Sequence, residues 1–283
     1  FKLEQNYRST STIVNAANSL IKHNKKQIQK KIWTENQQGD KIIIAKTHSD
    51  SDEGRLVANT IYELKTKQKI SEQDFAILYR TNAQSRAIEE ALRKKNMSYK
   101  IYGGLSFYQR KEIKDLLAYF RLCINEDDEE ALKRIINYPK RGIGDTTIQN
   151  LNIYADKNDI SIFKVIKQID KIEANINQGA KKKLLDFRLM IQNFTLICKQ
   201  KDAYSSAEEI TKKTGVFQSL YLDKSPEGIS RFENIQELLN GIKDFTKSAE
   251  DDRNNLADFM QDIVLLTDQD KETKSDFNKI TLM

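Results

Sequence analysis

The sequence predicts an α/β fold interrupted by a large all-α insertion. Three observations carry that reading. Strand and helix signals alternate over the first 107 residues, almost only helical periodicity runs from about 108 to 267, and a short strand-like run, KITLM (279–283), closes the chain. Strands alternating with helices argue a parallel sheet joined by right-handed crossovers. Three strands are few for such a sheet, so the α/β part reads as incomplete.

Each element has its own signal. Ile13, Ala16, Ala17, Leu20 and Ile21 fall at helical spacing, with Ser9 or Thr10 placed to cap the start. KIIIAKT (41–47) follows Gly39-Asp40 and reads as a buried strand. Leu56, Val57, Ile61 and Leu64 form the stripe of a helix over 53–67. DFAILYR (74–80) is a strand, NAQSRAIEEALRKKN (82–96) a helix and SYKIYGG (98–104) a third strand. After Gly103-Gly104, helical stripes recur over 112–124, 129–138, 146–155, 180–197, 231–245 and 256–266. The chain's two prolines, Pro139 and Pro226, fall between these segments. The acidic run NEDDEE (125–130) reads as a solvated loop and helix start. The expected domains are 1–107 for the first α/β portion, 108–276 for the helical insertion, and 277–283 for a strand returning to the sheet. A polar linker, DKETKSD (270–276), precedes that strand.

Composition narrows the function classes. The chain has 283 residues, 39% hydrophobic and 31% charged, which is a charge-rich globular balance. No apolar run approaches the roughly 20 residues of a membrane span and no signal-peptide pattern heads the chain, so a cytoplasmic protein with no membrane partner is expected. The two cysteines, Cys123 and Cys198, suggest no disulfide framework, and two histidines without CxxC or HExxH argue for no metal site. Charge is uneven: residues 1–107 hold 19 Lys and Arg against 11 Asp and Glu, whereas 108–283 hold 28 against 30. A basic part beside a near-neutral one suits a polyanionic partner, or simply a solvated lysine-rich surface.

Two stretches combine cations with helix starts. In LEQNYRS (3–9), Tyr7 offers a flat face for a nucleobase and Arg8 a guanidinium that can spread over phosphate oxygens. In NTPases such an arginine stabilises transition-state charge. The same residues also suit a core tyrosine and an Arg8–Glu4 pair at a helix start. In YPKRGIGDTT (138–147), Gly142 and Gly144 let backbone N–H groups approach a phosphate closely, Lys140 and Arg141 add charge, and Asp145 or Thr146 starts a helix. This resembles the hairpin of helix-hairpin-helix modules, which grip duplex backbone without reading sequence. A plain helix–helix turn with glycine past the helix end is the other reading.

Five stretches in order resemble successive blocks of the UvrD/PcrA/Rep class of ATP-dependent DNA helicases: LEQNYRST (3–10), FAILYRTNAQSRAIEEAL (75–92), YGGLSFYQRKEIKD (102–115), INYPKRGIG (136–144) and SRFENIQELL (230–239). The resemblance covers essentially the whole chain. It implies part of the second RecA-like domain of such a helicase, with its helical accessory domain inserted. Phe1 in place of an initiator methionine, and the lack of a G-x-x-x-x-G-K-[ST] loop, fit a fragment whose partner domain would carry the Walker lysine and Mg²⁺ ligands.

The resemblance also assigns roles. Tyr7 would stack on the adenine of ATP and Arg8 would be the arginine finger. Arg80, Asn82 and Ser85 would contact single-stranded DNA, though Asn82 also suits the cap of the following helix. Lys140, Arg141, Gly142, Ile143, Gly144 and Thr146 would hold duplex DNA. Gly103 and Gly104 would act as a hinge, and Glu112, Lys114 and Asp115 would hold the domain junction through ion pairs. ATP and Mg²⁺ are expected in the parent and no tight nucleotide binding in the fragment. Expected partners are single strands, single-strand/duplex junctions, and repair or replication proteins. The alternatives are a non-catalytic DNA-binding or protein-interaction module, or the helicase arm of a nuclease complex.

Overall fold

The computed structural model describes residues 2–26, 30–172, 175–248, 253–272 and 278–283, apart from the side chains of 265–272. They belong to two compact units, 1–48 and 49–283.

The first unit contains one helix, α1 (Ser11–Ile21). Its N-cap, Thr10, makes no side-chain cap bond. The Ser11 and Thr12 amides instead donate to the carbonyls of Gln37 and Gln38, each at 3.1 Å. Those bonds satisfy two of the amides a helix start leaves without intrahelical partners. Asn18 clamps Ile32 through both ends of its amide, and Gln5 forms an isolated parallel bridge with Trp33. KIIIAKT corrects an expectation. No strand is assigned over 41–47, and Ile43 and Ile44 are 89% and 94% exposed. A β-branched run becomes a buried strand only where a neighbouring strand takes its amides and a packed layer takes its side chains. Among the described residues of this unit, neither is present.

The second unit is mostly helical, with a small parallel sheet. In chain order it comprises α2 (Asp50–Gln68), β1 (Ala76–Ile77), α3 (Ser85–Lys94), β2 (Tyr99–Ile101), α4 (Lys111–Ile124), α5 (Glu129–Ile135), α6 (Asp145–Asn158), α7 (Ile162–Lys167), α8 (Gln178–Gln200), α9 (Ala203–Lys213), α10 (Val216–Leu222), α11 (Pro226–Ser248), α12 (Leu256–Glu272) and β3 (Ile280–Leu282). The last strand in sequence is the middle one in space: the order is β1-β3-β2, with Ile77 opposite Leu282 and Tyr99 opposite Ile280. Both edge strands thus depend on a segment far along the chain, Ile280–Leu282. The polar stretch 270–276 starts inside α12, and its remainder lies outside the described residues.

Two cores follow. Around the sheet, Ile77, Ile280 and Leu282 pack with Ala58 and Ile61 of α2 and with Ile88, Ala91 and Leu92 of α3. The larger core is all-helical and includes Phe107, Leu116, Phe120, Phe163, Leu184, Phe187, Phe194, Ile235 and Phe259. Truncating one of its fully buried leucines or phenylalanines to alanine costs about 2–5 kcal/mol.

Buried polar groups join the two. The Glu89 carboxylate accepts from Ser106 Oγ (2.6 Å), Tyr99 Oη (2.9 Å) and the Phe107 amide (3.1 Å). Arg86, 2% exposed, donates to Glu237 of α11 at 2.7 Å and to Glu90 at 3.0 Å. Expected junction residues act elsewhere. Asp115 pairs with Arg134 of α5 inside the helical part, Glu112 accepts from the Asn234 amide, and Lys114 is exposed. Of the acidic run, Asp128 caps α5 and binds Arg121.

Candidate functional site

The opening stretch holds its backbone and leaves its side chains out. The Asn6 amide donates to Trp33 O (2.8 Å) and Trp33 N to Glu4 O (2.9 Å), fixing the approach to the turn. Asn6 Oδ1 then accepts the amides of Arg8 (2.9 Å) and Ser9 (2.8 Å), a side chain closing its own turn. Asn36 Nδ2 donates to the carbonyls of Tyr7 and Ser9. On this fixed loop the Tyr7 ring is 80% exposed and Arg8 is exposed as well. The alternative placements fail on geometry. Tyr7 is in no core, and Glu4 accepts from the Lys31 amide while Arg8 forms no ion pair among the described residues. The start of α1 is no phosphate cradle, since the Ser11 and Thr12 amides are already bonded.

The strand-end loop is built similarly, with one residue turned inward. Gln84 Oε1 accepts the amides of Arg80 (2.8 Å) and Thr81 (3.0 Å), so Gln84 rather than Asn82 organises the turn into α3. Arg80, Thr81 and Asn82 are exposed. Ser85 is fully buried, donating to Asn82 O and accepting from Arg110 Nη2, each at 2.9 Å. Its hydroxyl supports the loop from behind and cannot reach a ligand. A cleft of about 570 Å³ opens beside this loop, lined by Arg80, Thr81, Asn82 and Tyr102 on one side and by Ile229, Ser230 and Glu233 of α11 on the other. It lies just past the carboxyl ends of all three strands, where open parallel sheets present their ligand-binding crevices.

The hairpin divides its residues differently. Ile143 is fully buried in the helical core. Arg141 points inward: Nη1 donates to the carbonyls of Ile135 (3.0 Å) and Tyr138 (2.7 Å), Nη2 to the Tyr119 hydroxyl, and the guanidinium lies 5.6 Å from the Phe187 ring centroid. Burial pushes the Tyr119 phenol up to about 12, against the pull of Arg141. Neither Arg141 nor Ile143 is available to a phosphate. Lys140, Gly142, Gly144 and Thr146 are exposed. The amides of Gly144, Asp145 and Thr146, at the start of α6, draw no hydrogen bond among the described residues. Gly142 has φ +71°, a conformation that favours glycine, and its carbonyl accepts from Lys183 Nζ at 2.9 Å. In the expected hinge, Gly103 has φ +75° and a Cβ there would meet nothing.

A sequence model of the UvrD-like helicase C-terminal domain matches residues 1–283. The chain belongs to that family. The ATP-dependent DNA helicase PcrA of Bacillus subtilis is 43% identical over 286 residues, covering 99% of this chain and 38% of that protein. PcrA proteins of Staphylococcus epidermidis and Staphylococcus aureus are each 39% identical, again over 99% of this chain and 38% of their own length. This UvrD-like domain thus spans less than half of the curated relatives it matches. Among its described residues, no group of three or more His, Cys, Asp or Glu could hold a metal ion, and no helix is long and apolar enough to cross a membrane.

The sequence pointed to the exposed residues of these sites but missed Arg110. It sits in YQRKEIKD with nothing to mark it among the neighbouring charges, and only its buried contacts reveal it.

Proposed function

We propose that this UvrD-like domain is the part of an ATP-dependent DNA helicase that closes the nucleotide site and contacts the nucleic acid. In this reading 1–107 begin the second RecA-like domain, 108–276 are the inserted accessory domain, and 277–283 return to the sheet. The observation that carries it is the opening turn, whose backbone is fixed by Asn6 and Asn36 while the Tyr7 ring, its hydroxyl donating to the neighbouring Gln5 Oε1 at 2.7 Å, faces outward, and the Arg8 guanidinium faces outward with no ion pair among the described residues. A cation held out at an entropic cost, with no such pair, suits a ligand brought by another surface.

ATP supplies a phosphoanhydride whose hydrolysis drives movement. Tyr7 packs against the adenine. Arg8 reaches the γ-phosphate, where charge develops during transfer, and acts mainly on the transition state. Mg²⁺ belongs to groups outside these residues. Arg80 and Asn82 hold the backbone of a single strand in the strand-end cleft. Lys140 and the free amides of Gly144 to Thr146 hold a duplex backbone through charge and hydrogen bonds that carry no sequence information. Together they describe a cytoplasmic translocase working 3′ to 5′ at single-strand/duplex junctions, with repair or replication proteins as partners. The test is steady-state ATPase activity of the full-length parent with Arg8→Ala. A kcat indistinguishable from the parent's would remove Arg8 from the nucleotide site.

A further inference from the structure

Arg110 is 8% exposed. Its Nη1 donates in two directions, to the Asn82 carbonyl at 2.7 Å and to Asn234 Oδ1 at 2.8 Å. Its Nη2 donates to Ser85 Oγ at 2.9 Å, and the guanidinium lies 5.3 Å from the Phe107 ring centroid. Asn234 in turn donates to Glu112 Oε1 at 2.6 Å. All three direct acceptors are neutral, so this is a geometric brace rather than an ion pair. Asn82 belongs to one wall of the strand-end cleft. Asn234 directly follows Glu233 on α11, which lines the other wall. A single nitrogen therefore spans the two.

We infer that Arg110 is a positioning residue that sets the width of this cleft, so that α11 and the loop 80–82 grip a single strand between them. The inference rests on the reading of that loop as a single-strand contact. Four features converge on it. The guanidinium is rigid and planar, which fixes the separation of its acceptors better than a flexible ammonium would. The loop wall is independently stiffened by Gln84, so a displacement at Asn82 O carries Arg80 with it. The α11 wall offers Ser230 as a donor and Ile229 as an apolar surface, the mixture that suits a sugar–phosphate strand with its bases. Removing Asn234 leaves one direction of Arg110 Nη1 and the buried Glu112 carboxylate short of a partner, which favours rearrangement of the cleft over a passive gap.

The experiment measures the affinity of the purified chain for an oligothymidylate by fluorescence anisotropy at several salt concentrations. Arg80→Ala should weaken binding about tenfold and reduce the salt slope by about one, as expected for a lost phosphate contact. Asn234→Ala, at a position 3% exposed, should weaken binding about fivefold with the folded state intact by circular dichroism. Its effect should vanish in the Arg80→Ala background, because it acts through the loop. Arg110→Gln should weaken binding at least as much as Asn234→Ala, again only with Arg80 present, and Ser85→Ala should show a smaller loss with the same non-additivity, which provides a check if Arg110→Gln does not fold. An Asn234→Ala effect that is absent, or equal in both backgrounds, overturns the positioning role while leaving the single-strand reading in place. An unchanged affinity on Arg80→Ala overturns the single-strand reading itself and this inference with it.

Discussion

The opening turn and the hairpin use the same ingredients to opposite ends. Each sets a tyrosine and an arginine shortly before a helix: Tyr7-Arg8 before α1, Tyr138 and Arg141 before α6. In the first, the arginine is exposed while two amides at the helix start are bonded to Gln37 and Gln38. In the second, the arginine is bonded to carbonyls and the helix-start amides are free. One site offers a side chain and the other offers backbone. What decides is the supply of acceptors nearby. Carbonyls at the end of α5 and just past it, those of Ile135 and Tyr138, draw Arg141 inward, whereas Asn6 and Asn36 satisfy the opening turn without Arg8.

The largest expected effect tests the exposed arginine. In the full-length parent, Arg8→Ala should lower kcat for ATP at saturating single-stranded DNA by about 10³-fold, with little change in KM. Tyr7→Ala should do the reverse, raising KM through lost stacking. Arg8→Ala should leave folding stability within about 0.5 kcal/mol. A fall in stability with unchanged kcat would make Arg8 resemble Arg141 and dissolve the contrast.

Next comes the inward-turned arginine. Arg141→Ala removes the donors to the carbonyls of Ile135 and Tyr138 and the charge beside two rings, and should cost about 2–3 kcal/mol. Urea unfolding of the chain gives the number. Duplex affinity per folded molecule should change far less, because Arg141 faces no ligand. A loss of duplex binding with unaltered stability would return Arg141 to the phosphate-contacting role its sequence suggests.

That pair of outcomes also measures how much was legible in the sequence. Spacing located α2, α3, α4 and α8 because their apolar stripes are long and regular. The helices α7, α9 and α10 were passed over. The buried face of α9 is Ala203, Ser206, Ala207, Ile210 and Thr211, with Ile210 its one large apolar side chain, so its stripe is faint beside those of the longer helices. KIIIAKT misled in the other direction, since composition signals an extended chain but not whether a neighbour exists to pair with it. For the sites, the motifs fall on loops with exposed residues, yet within them Ser85 and Ile143 are buried and Arg141 turns inward onto carbonyls. Side-chain direction within a motif depends on acceptors brought from elsewhere in the chain. Arg110 shows the limit most clearly, with partners 28 and 124 residues away.

A smaller effect sharpens the backbone side of the comparison. Gly144→Val adds a side chain into open space at ordinary φ, so the fold should tolerate it while close approach to the amides is blocked. Duplex affinity should fall about tenfold at low salt. Lys140→Ala should weaken binding less and reduce the salt slope by about one. Unchanged duplex affinity in Gly144→Val would reduce the hairpin to a turn between helices.

The smallest effect extends the comparison to a third arginine. Arg86 turns inward like Arg141 and is fully buried, but its acceptors are the carboxylates of Glu237 (2.7 Å), Glu90 (3.0 Å) and Asp50 (3.4 Å). Burial pushes Glu237 up to about 7 against the pull of Arg86. Partial burial works against Asp50 too, yet its hydrogen bond with Glu237 and the charge of Arg86 leave it lowered. As pH falls below about 7, Asp50 and Glu237 therefore come to hold one proton between them, and it resides on Glu237. The folded chain binds that proton more tightly than the unfolded chain, where Glu titrates near 4.5. The resulting stability is complete below about pH 4.5 and is lost as pH rises through about 7. Asp50 has the opposite sign, but its loss falls below its ordinary 3.8 and outside this window. The chain should then be more stable at about pH 5.5 than at about pH 8 by about 1 kcal/mol, once solvent screening at a partly exposed group is allowed for. Glu237→Gln should abolish the difference, whereas Arg141→Ala, removing contacts to neutral carbonyls, should cost the same at both. Urea midpoints that coincide for the unsubstituted chain at the two pH values, or a shift that survives Glu237→Gln, would place the proton elsewhere and leave Arg86 as indifferent to pH as Arg141.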